Sequence, residues 1–309
     1  MPWIQETERT WFHRFCCRVL KAGPIPKHVA FIMDGNRRYA RRHAMKTILQ
    51  GHSMGFETLA KTLEWCRDLD ITEVTVYAFS IENFKRSNDE VNGLMDLARD
   101  KFKELLKEKE QIEKYGVRFR FFGNSSLLPL DIQRLMAEIE MLSMHNNRAF
   151  LNVCIAYTSQ DEIGRALADV ARGVQDGLLA PGDVDERLID RCLDSRHSPN
   201  PDLLIRTSGE LRFSDFLLWQ CSHSCVYFDD VLWPDYSFSN LCFAILHYQR
   251  SINSLNKIKA YHSQLADQAD EKLDAREIEA IRKRKENFLS HLEEEKLNVL
   301  RSLCAGESG

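Results

Sequence analysis

The sequence predicts an α/β protein built on a mainly parallel six-stranded sheet flanked by helices. Two observations carry this. Short apolar runs alternate with helix-like segments along the chain, with no internal repeat or low-complexity block. The opening run, Val29-Ala-Phe-Ile-Met33, lacks polar alternation, as expected of a strand covered on both faces. Gly35-Asn36 can make its exit turn, and a helix should begin near Arg37. Gly55 to Leu69 has helical spacing, Val74 to Phe79 is strand-like, and Glu90 to Lys114 reads as one long charged helix ending at Gly116. The next strand is Val117 to Phe122. A helix from Leu130 to His145, a strand from Phe150 to Tyr157 and a helix from Asp161 to Arg172 lead to a short strand at Leu203-Leu-Ile205. Val226 to Phe228 completes the set. Each strand should be entered from a helix, and the ligand site should lie outside the carboxyl ends of the strands. Residues 1–22 are expected to form an amphipathic helix, 23–250 the core domain and 251–309 a charged helical extension.

Composition narrows the class. With 44% hydrophobic and 28% charged residues, the 309-residue chain can build a sizeable core without disulfides. A net charge of −4 argues against a general nucleic-acid binder. Nine cysteines, with no Cys-x-x-Cys pair or zinc spacing, read as reduced, mostly packed thiols of a cytosolic compartment. No apolar run reaches the roughly 18–20 residues that cross a bilayer, and charges stand where a signal peptide would have its apolar core.

Three polar clusters follow directly after three of the strands, so all should face one crevice. The first is Asp34-Gly35-Asn36-Arg37-Arg38, the second Ser80-Ile-Glu82-Asn83-Phe-Lys85-Arg86, and the third Arg206-Thr-Ser208-Gly-Glu210-Leu-Arg212-Phe-Ser214. Guanidinium forks, Ser and Asn donors and a helix N-terminus suit phosphate oxygens, and Asp34 could hold a divalent ion on them. Blander readings stand beside each: an Asx-type turn capping an ordinary helix, a polar loop capping the next helix, and a structural network of Arg206 and Arg212 with Glu210 and Asp215. Spacing excludes a P-loop, a dinucleotide fingerprint, a nucleophile elbow, a zincin helix and the Asp-Asp-x-x-Asp of all-helical prenyl synthases. A haloacid-dehalogenase-like phosphohydrolase also places an Asp after an apolar strand but wants a second Asp two residues on, where this chain has Asn36.

From about Lys27 to Leu246 the sequence resembles the cis-prenyltransferases, most closely those of the eukaryotic dolichol-forming branch. The motifs are His28-Val-Ala-Phe-Ile-Met-Asp-Gly-Asn-Arg-Arg-Tyr-Ala40, Gly51-His52-x-x-Gly55, Tyr77-Ala-Phe-Ser-x-Glu-Asn-Phe84, Asp202-Leu-Leu-Ile-Arg-Thr-Ser-Gly-Glu-x-Arg212, and Phe216-Leu-Leu-Trp-Gln220 with Leu232-Trp-Pro234. The resemblance implies elongation of farnesyl diphosphate by successive isopentenyl diphosphate units with Z double bonds, requiring Mg²⁺. By position it implies that Asp34 holds Mg²⁺ and that Gly35, Arg37 and Arg38 bind the allylic diphosphate. Arg86, Arg206, Arg212 and Ser214 would bind isopentenyl diphosphate, and Asn36, His52, Ser80 and Asn83 would support positioning and proton handling. Taken without the family pattern, His52, between Gly51 and Ser53 at a helix start, reads as a satisfied cap rather than as a donor to phosphate. Phe79, Phe84, Phe102, Leu105, Phe121 and Phe122 could wall a tunnel for the growing chain, or could be plain core.

Two departures from family members matter. Bacterial relatives carry a Glu before Leu-Trp-Pro, near the metal, where this chain has Cys225. A neutral thiol is a poor Mg²⁺ ligand, so Asp34 is expected to be the only protein carboxylate on the ion. The tail Leu303-Cys-Ala-Gly306-Glu-Ser-Gly309 has no Arg-x-Gly motif. The resemblance therefore implies a heteromer in which a non-catalytic subunit similar to the Nogo-B receptor supplies that motif, peripherally bound at the cytosolic face of the endoplasmic reticulum. Ile4, Trp11, Phe12, Phe15, Val19 and Leu20 fall on one helical stripe, with Arg9, Arg14, Arg18 and Lys21 nearby, suited either to a membrane surface or to packing on the core. Beyond Arg250, Ile278, Ile281, Phe288, Leu292 and Leu297 lie at helical spacing among charges, in helices that fold back or pair with another chain. The scaffold and phosphohydrolase readings remain as alternatives.

Overall fold

The computed structural model describes residues 3, 8–270 and 274–306. In chain order the elements are α1 (Trp11–Leu20), β1 (His28–Ile32), α2 (Asn36–Arg42), α3 (Ile48–Asp68), β2 (Glu73–Ser80), α4 (Asn88–Lys107), α5 (Lys109–Tyr115), β3 (Val117–Phe122), α6 (Leu130–Ser143), β4 (Ala149–Tyr157), α7 (Ser159–Gln175), α8 (Glu186–Asp190), β5 (Leu203–Arg206), β6 (Cys225–Phe228), α9 (Phe238–Asp270) and α10 (Ala275–Ala305). The sheet runs β3-β4-β2-β1-β5-β6, and every pair is parallel. All five residues of β1 are buried, as befits a central strand covered on both faces. The six expected strands are therefore all present.

Three features differ from the sequence reading. The segment between β5 and β6 contains no helix, so β6 is entered from a loop. The long helix expected from Glu90 to Lys114 is two, α4 and α5, meeting at Glu108. No Gly or Pro marks this break; it coincides with a tertiary contact, in which the Trp3 N–H donates to both carboxylate oxygens of Glu108 at 3.0 and 3.1 Å. Helix α3 begins at Ile48 rather than at Gly55, because Gly51 and Gly55 lie inside it as contact surface. A Cβ on Gly51 would stand 2.3 Å from the Asn36 carbonyl oxygen, and one on Gly55 2.2 Å from Asn36 Oδ1. These glycines let α2 lie directly against α3.

The chain ends resolve into distinct faces. On α1, Cys17 and Leu20 are buried, whereas Trp11, Phe12, Phe15 and Val19 are exposed; Ile4 lies outside the described residues. Helix α9 runs unbroken through residue 250, and α10 folds back onto the domain. Phe288 and Leu292 pack with Ala166 and Val170, and Gly173 makes room for the Phe288 ring, 2.4 Å from where a Cβ would sit. Arg284 clamps Asp183 at 2.6 and 2.7 Å, and Glu293 accepts from Arg196 at 3.0 Å and pairs with His197 at 3.2 Å. Ile278, in contrast, is exposed.

Because Gly55 has Asn36 Oδ1 on one side and Trp233 Cδ1 at 3.0 Å on the other, Gly55→Ala must push α2 or the Trp233 ring away. We expect a loss of about 1–3 kcal/mol, an overpacking cost, by urea denaturation. Gly164→Ala, where nothing lies within 4 Å, is the matched control and should not destabilise.

Candidate active site

The three polar clusters leave the carboxyl ends of β2, β1 and β5, which are adjacent in the sheet. The chain turns to one side of β1 to form β2 and later to the other side to form β5, so the crevice lies at the switch point of the topology. Register does the fine placement. Ile32 pairs with Arg206, which sets the end of β5 two residues short of Asp34.

Arg206 is the buried centre, with its side chain only 2% exposed. Its Nη2 donates to Asp34 Oδ2 at 2.9 Å, and its Nη1 donates to Ser214 Oγ at 2.8 Å and to the Arg212 carbonyl. Asp34 is fixed through its backbone as well. Its N–H donates to Thr207 Oγ1 at 3.1 Å, while its carbonyl accepts from the Thr207 hydroxyl and from the Trp233 N–H, both at 2.9 Å. Gly35, at a left-handed φ of 105°, donates its N–H to Asp34 Oδ1 at 2.7 Å and precedes α2. A side chain at that φ would be strained, and its Cβ would meet Leu232 and Ser208.

Around this centre the arginines share carboxylates. Arg86 Nη1 donates to Glu90 Oε1 at 2.9 Å, and Arg37 Nε lies 3.4 Å from the same oxygen. Arg38 donates from Nη1 to the Ser208 carbonyl at 2.9 Å and from Nη2 to the Ser208 hydroxyl, and lies 3.3 Å from Glu210. Arg212 pairs with Glu210. The network foreseen for the third cluster is thus real in part, with Asp34 rather than Asp215 as the partner of Arg206. Ser208, Ser214, Asp215 and Leu217 all have positive φ, so this loop holds backbone strain that Arg206 helps to pin through Ser214 and the Arg212 carbonyl.

The remaining expected residues have visible structural duties. Ser80 and Asn83 form a reciprocal capping box on the 3-10 turn Ile81–Lys85: Ser80 Oγ accepts from the Glu82 N–H at 3.2 Å, and Asn83 Oδ1 accepts from the Ser80 N–H at 3.0 Å. Asn36 donates to the Met33 carbonyl at 3.2 Å, and its buried Oδ1 has no partner among the described residues. His52 is not a cap. Thr47 occupies that position and His52 sits inside α3, where burial and the nearby Arg86 and Arg37 push its imidazole down to about 4. Its buried Nε2 is likewise unpartnered among the described residues. Cys225 is not beside Asp34. It opens β6 opposite Leu203, which is itself opposite Val29, so Asp34 lies five residues further on, about 16 Å along the strand direction.

Two site residues were given no role by the sequence reading. Glu90 stands four residues after Arg86 on α4, a helical spacing that would have flagged the pair. Thr207 carried no such signal, since its role depends on strand register.

Below the crevice opens a cavity of about 880 Å³ between α3, α4 and the sheet. Its mouth is lined by six arginines, Arg37, Arg38, Arg41, Arg86, Arg206 and Arg212, against four acids, Asp34, Glu82, Glu210 and Asp215, which favours an anion. Its inner wall is apolar, including Phe56, Leu59, Met95, Phe102 and Ile155. Of the six aromatic and aliphatic residues named for a tunnel wall, Phe79 and Phe102 line this cavity, while Phe84 packs against Phe79 and Phe121 against Phe102. Leu105 and Phe122 belong to the core. Trp3 reaches the inner end, its indole edge-on to Phe56 at 4.7 Å. Among the described residues no group of three or more His, Cys, Asp or Glu could hold a metal ion. The donor set suits a magnesium ion that takes one carboxylate, Asp34, and fills its remaining positions with phosphate oxygens and water.

Fold and site together describe a cationic mouth above an apolar cavity, the class of site that suits a ligand with an anionic head and an apolar tail. The comparisons with known proteins place it further. The family described as "Putative undecaprenyl diphosphate synthase" matches residues 32–255. The chain is 56% identical over 264 residues to the dehydrodolichyl diphosphate synthase complex subunit of Mus musculus, covering 85% of this chain and 79% of that one. The corresponding subunit of Schizosaccharomyces pombe is 41% identical over 231 residues, 74% of this chain and 87% of that one. Among solved structures, lavandulyl diphosphate synthase from Lavandula x intermedia in complex with dimethylallyl diphosphate superposes with a TM-score of 0.69 at 33% identity, over 73% of this chain and 95% of that one. The chain belongs to the cis-prenyltransferase family and is a prenyl-transferring enzyme; the scaffold and phosphohydrolase alternatives find no support.

The depressed His52 gives a signed expectation. Between about pH 4 and its ordinary value near 6.5 the unfolded chain binds a proton that the folded chain refuses, so His52 makes stability rise with pH and fall on acidification. The slope is at most about 1.4 kcal/mol per pH unit. Urea denaturation at pH 5 and pH 7 should show a smaller loss on acidification in His52→Gln than in the parent.

Proposed function

We propose that this chain is the catalytic subunit of a cis-prenyltransferase that elongates farnesyl diphosphate with successive isopentenyl diphosphate units to a long-chain polyprenyl (dehydrodolichyl) diphosphate, the precursor of dolichol for protein glycosylation. The observation that carries this is a mouth of arginines at three adjacent strand ends opening directly onto a deep apolar cavity. A diphosphate head is retained at the mouth while each added isoprene unit moves the tail into the apolar part.

In this reading Gly35, Arg37 and Arg38 bind the allylic diphosphate at the start of α2, and Arg86, Arg206, Arg212 and Ser214 bind isopentenyl diphosphate. Asp34 holds Mg²⁺, which when bound neutralises charge on the departing pyrophosphate. Departure of that group leaves the allylic carbon open to the double bond of the second substrate; the new carbon–carbon bond is balanced by release of the pyrophosphate and of one proton from the isopentenyl unit, and the surrounding guanidiniums are already in place where negative charge grows. Asn36, His52, Ser80 and Asn83 hold the loops and helices that aim these groups. His52 does so as a neutral imidazole at physiological pH. The apolar walls exclude water from the reacting carbon.

The relatives in mouse and fission yeast are named as subunits of a complex, which supports a heteromer; in this reading the partner is a Nogo-B receptor-like non-catalytic subunit supplying an Arg-x-Gly motif. Exposed Trp11, Phe12, Phe15 and Val19, with Arg14 and Arg18 on the same short helix, support peripheral contact with the cytosolic face of the endoplasmic reticulum. No described helix is long and apolar enough to cross a membrane.

Incubation with farnesyl diphosphate, labelled isopentenyl diphosphate and Mg²⁺ should yield lipid-extractable label, strongly increased by the partner; release of free phosphate without extractable label would reject the reading. Asp34→Ala should lower turnover by roughly 10²–10³-fold, the scale on which loss of one preorganised charge-stabilising group acts; near-normal turnover at saturating Mg²⁺ would refute its role. In flotation with anionic vesicles, Phe12→Ser with Phe15→Ser should lose most binding while leaving the melting temperature unchanged.

A further inference from the structure

We infer that Arg206 and Asp34 form an exchange pair: the guanidinium holds the Asp34 carboxylate until a homoallylic diphosphate takes the guanidinium, and that transfer frees Asp34 Oδ2 for the divalent cation. The inference rests on the assignment of Arg206 to isopentenyl diphosphate made above, and it adds an order of events to that assignment.

The argument lies in how the guanidinium is used. Nη1 is committed to Ser214 Oγ and to the Arg212 carbonyl, both parts of the loop that carries the strand end. The opposite edge, formed by Nε–H and one Nη2–H, is the side-on fork that matches two phosphate oxygens. Of its two nitrogens, Nη2 donates to Asp34 Oδ2 at 2.9 Å, whereas Nε, in a side chain 2% exposed, is buried with no partner among the described residues. A buried unsatisfied donor is costly, and it aims a standing preference at an acceptor. Arg206 lines the cavity. An anion that satisfies Nε and takes the whole edge competes with Asp34 Oδ2 for Nη2 and draws the guanidinium away from it.

Asp34 is suited to being released. Its Oδ1 keeps the Gly35 N–H, and its backbone remains tied to Thr207 and Trp233, so the carboxylate stays in place when Nη2 leaves. Its side chain is 36% exposed, towards the mouth where a cation and water can enter. Arg38 is a poor replacement, being 3.9 Å from Oδ2 and already donating to both oxygens of Ser208. A site without this pair would bind a cation at a bare carboxylate at any time. With it, cation and second substrate favour each other, and the coupling is reciprocal.

Isothermal titration with isopentenyl diphosphate in EDTA tests one half. Asp34→Asn should bind the metal-free diphosphate roughly tenfold more tightly than the parent, within the 5–150-fold span of ordinary site coupling. Glu82→Gln removes an equal charge from the same mouth without touching Arg206 and should change affinity by less than about twofold, as a mostly exposed charge does. The reciprocal half uses Mn²⁺ alone, followed by electron paramagnetic resonance. Arg206→Gln should bind it more tightly than the parent, and the Arg206→Gln, Asp34→Asn double variant should lose that gain. Should circular dichroism show that Arg206→Gln is unfolded, the Asp34→Asn titration decides alone. Equal diphosphate affinity in the parent, Asp34→Asn and Glu82→Gln overturns the exchange pair while leaving the substrate reading intact. An absence of metal-free diphosphate binding in the parent and in Asp34→Asn overturns the exchange pair, and an absence that persists with Mg²⁺ present overturns the substrate reading as well.

Discussion

Burying a guanidinium is the constraint around which this site is organised. A charge as enclosed as that of Arg206 is tolerated only with partners on several sides. The partners come from three places in sequence: Asp34 past the end of β1, and the Arg212 carbonyl and Ser214 hydroxyl in the loop beyond β5. The ion pair therefore joins two neighbouring strand ends. It can do so because the parallel register sets Ile32 against Arg206, and a one-residue slip would turn Arg206 to the other face of the sheet. The same loop carries four non-glycine residues at positive φ, a conformation that persists only when held from outside. Arg206 is one of the holds.

A second constraint is how closely α2 approaches α3. The missing side chains of Gly51 and Gly55 bring Asn36 and the first turn of α2 against α3, and the Trp233 indole donates to the Gly55 carbonyl at 2.7 Å. The Trp233 backbone donates in turn to the Asp34 carbonyl. Segments nearly two hundred residues apart thus fix the same aspartate, which explains why short motifs scattered along the chain act as one site. Both glycines set how closely the helix carrying Arg37 and Arg38 lies against α3.

The sheet was legible because its strands are short, mostly apolar and bounded by polar turns, and in the central strands burial on both faces leaves that mark whatever the neighbours are. The convergence of Asp34, Arg206, Arg212 and Ser214 followed from the strand-end rule. What failed to show was tertiary in origin. Gly51 and Gly55 read locally as weak helix formers, whereas packing makes them obligatory within α3. The α4–α5 break lies at a carboxylate that receives Trp3 from a hundred residues away. Cys225 could be matched to a carboxylate by position, but only the register of β6 shows that it opens the strand at the far end from Asp34. Thr207 was hidden for the same reason, since its hydroxyl becomes meaningful once β1 and β5 are aligned.

The crevice also answers a problem common to all anion sites, which is how to hold like charges together before the anion arrives. Five arginines, Arg37, Arg38, Arg86, Arg206 and Arg212, are arranged around three carboxylates: Glu90 serves Arg37 and Arg86, Glu210 serves Arg38 and Arg212, and Asp34 serves Arg206. Among these eight groups the acids offset three of the five positive charges, so the guanidiniums are held together without their full mutual repulsion. Each carboxylate also keeps its arginines ordered, which reduces the reorganisation required when phosphate oxygens take over. The acids in such a mouth are therefore as necessary as the bases. Glu90 and Glu210 keep the arginines in position, and Asp34 has the additional capacity to exchange an arginine for a metal ion.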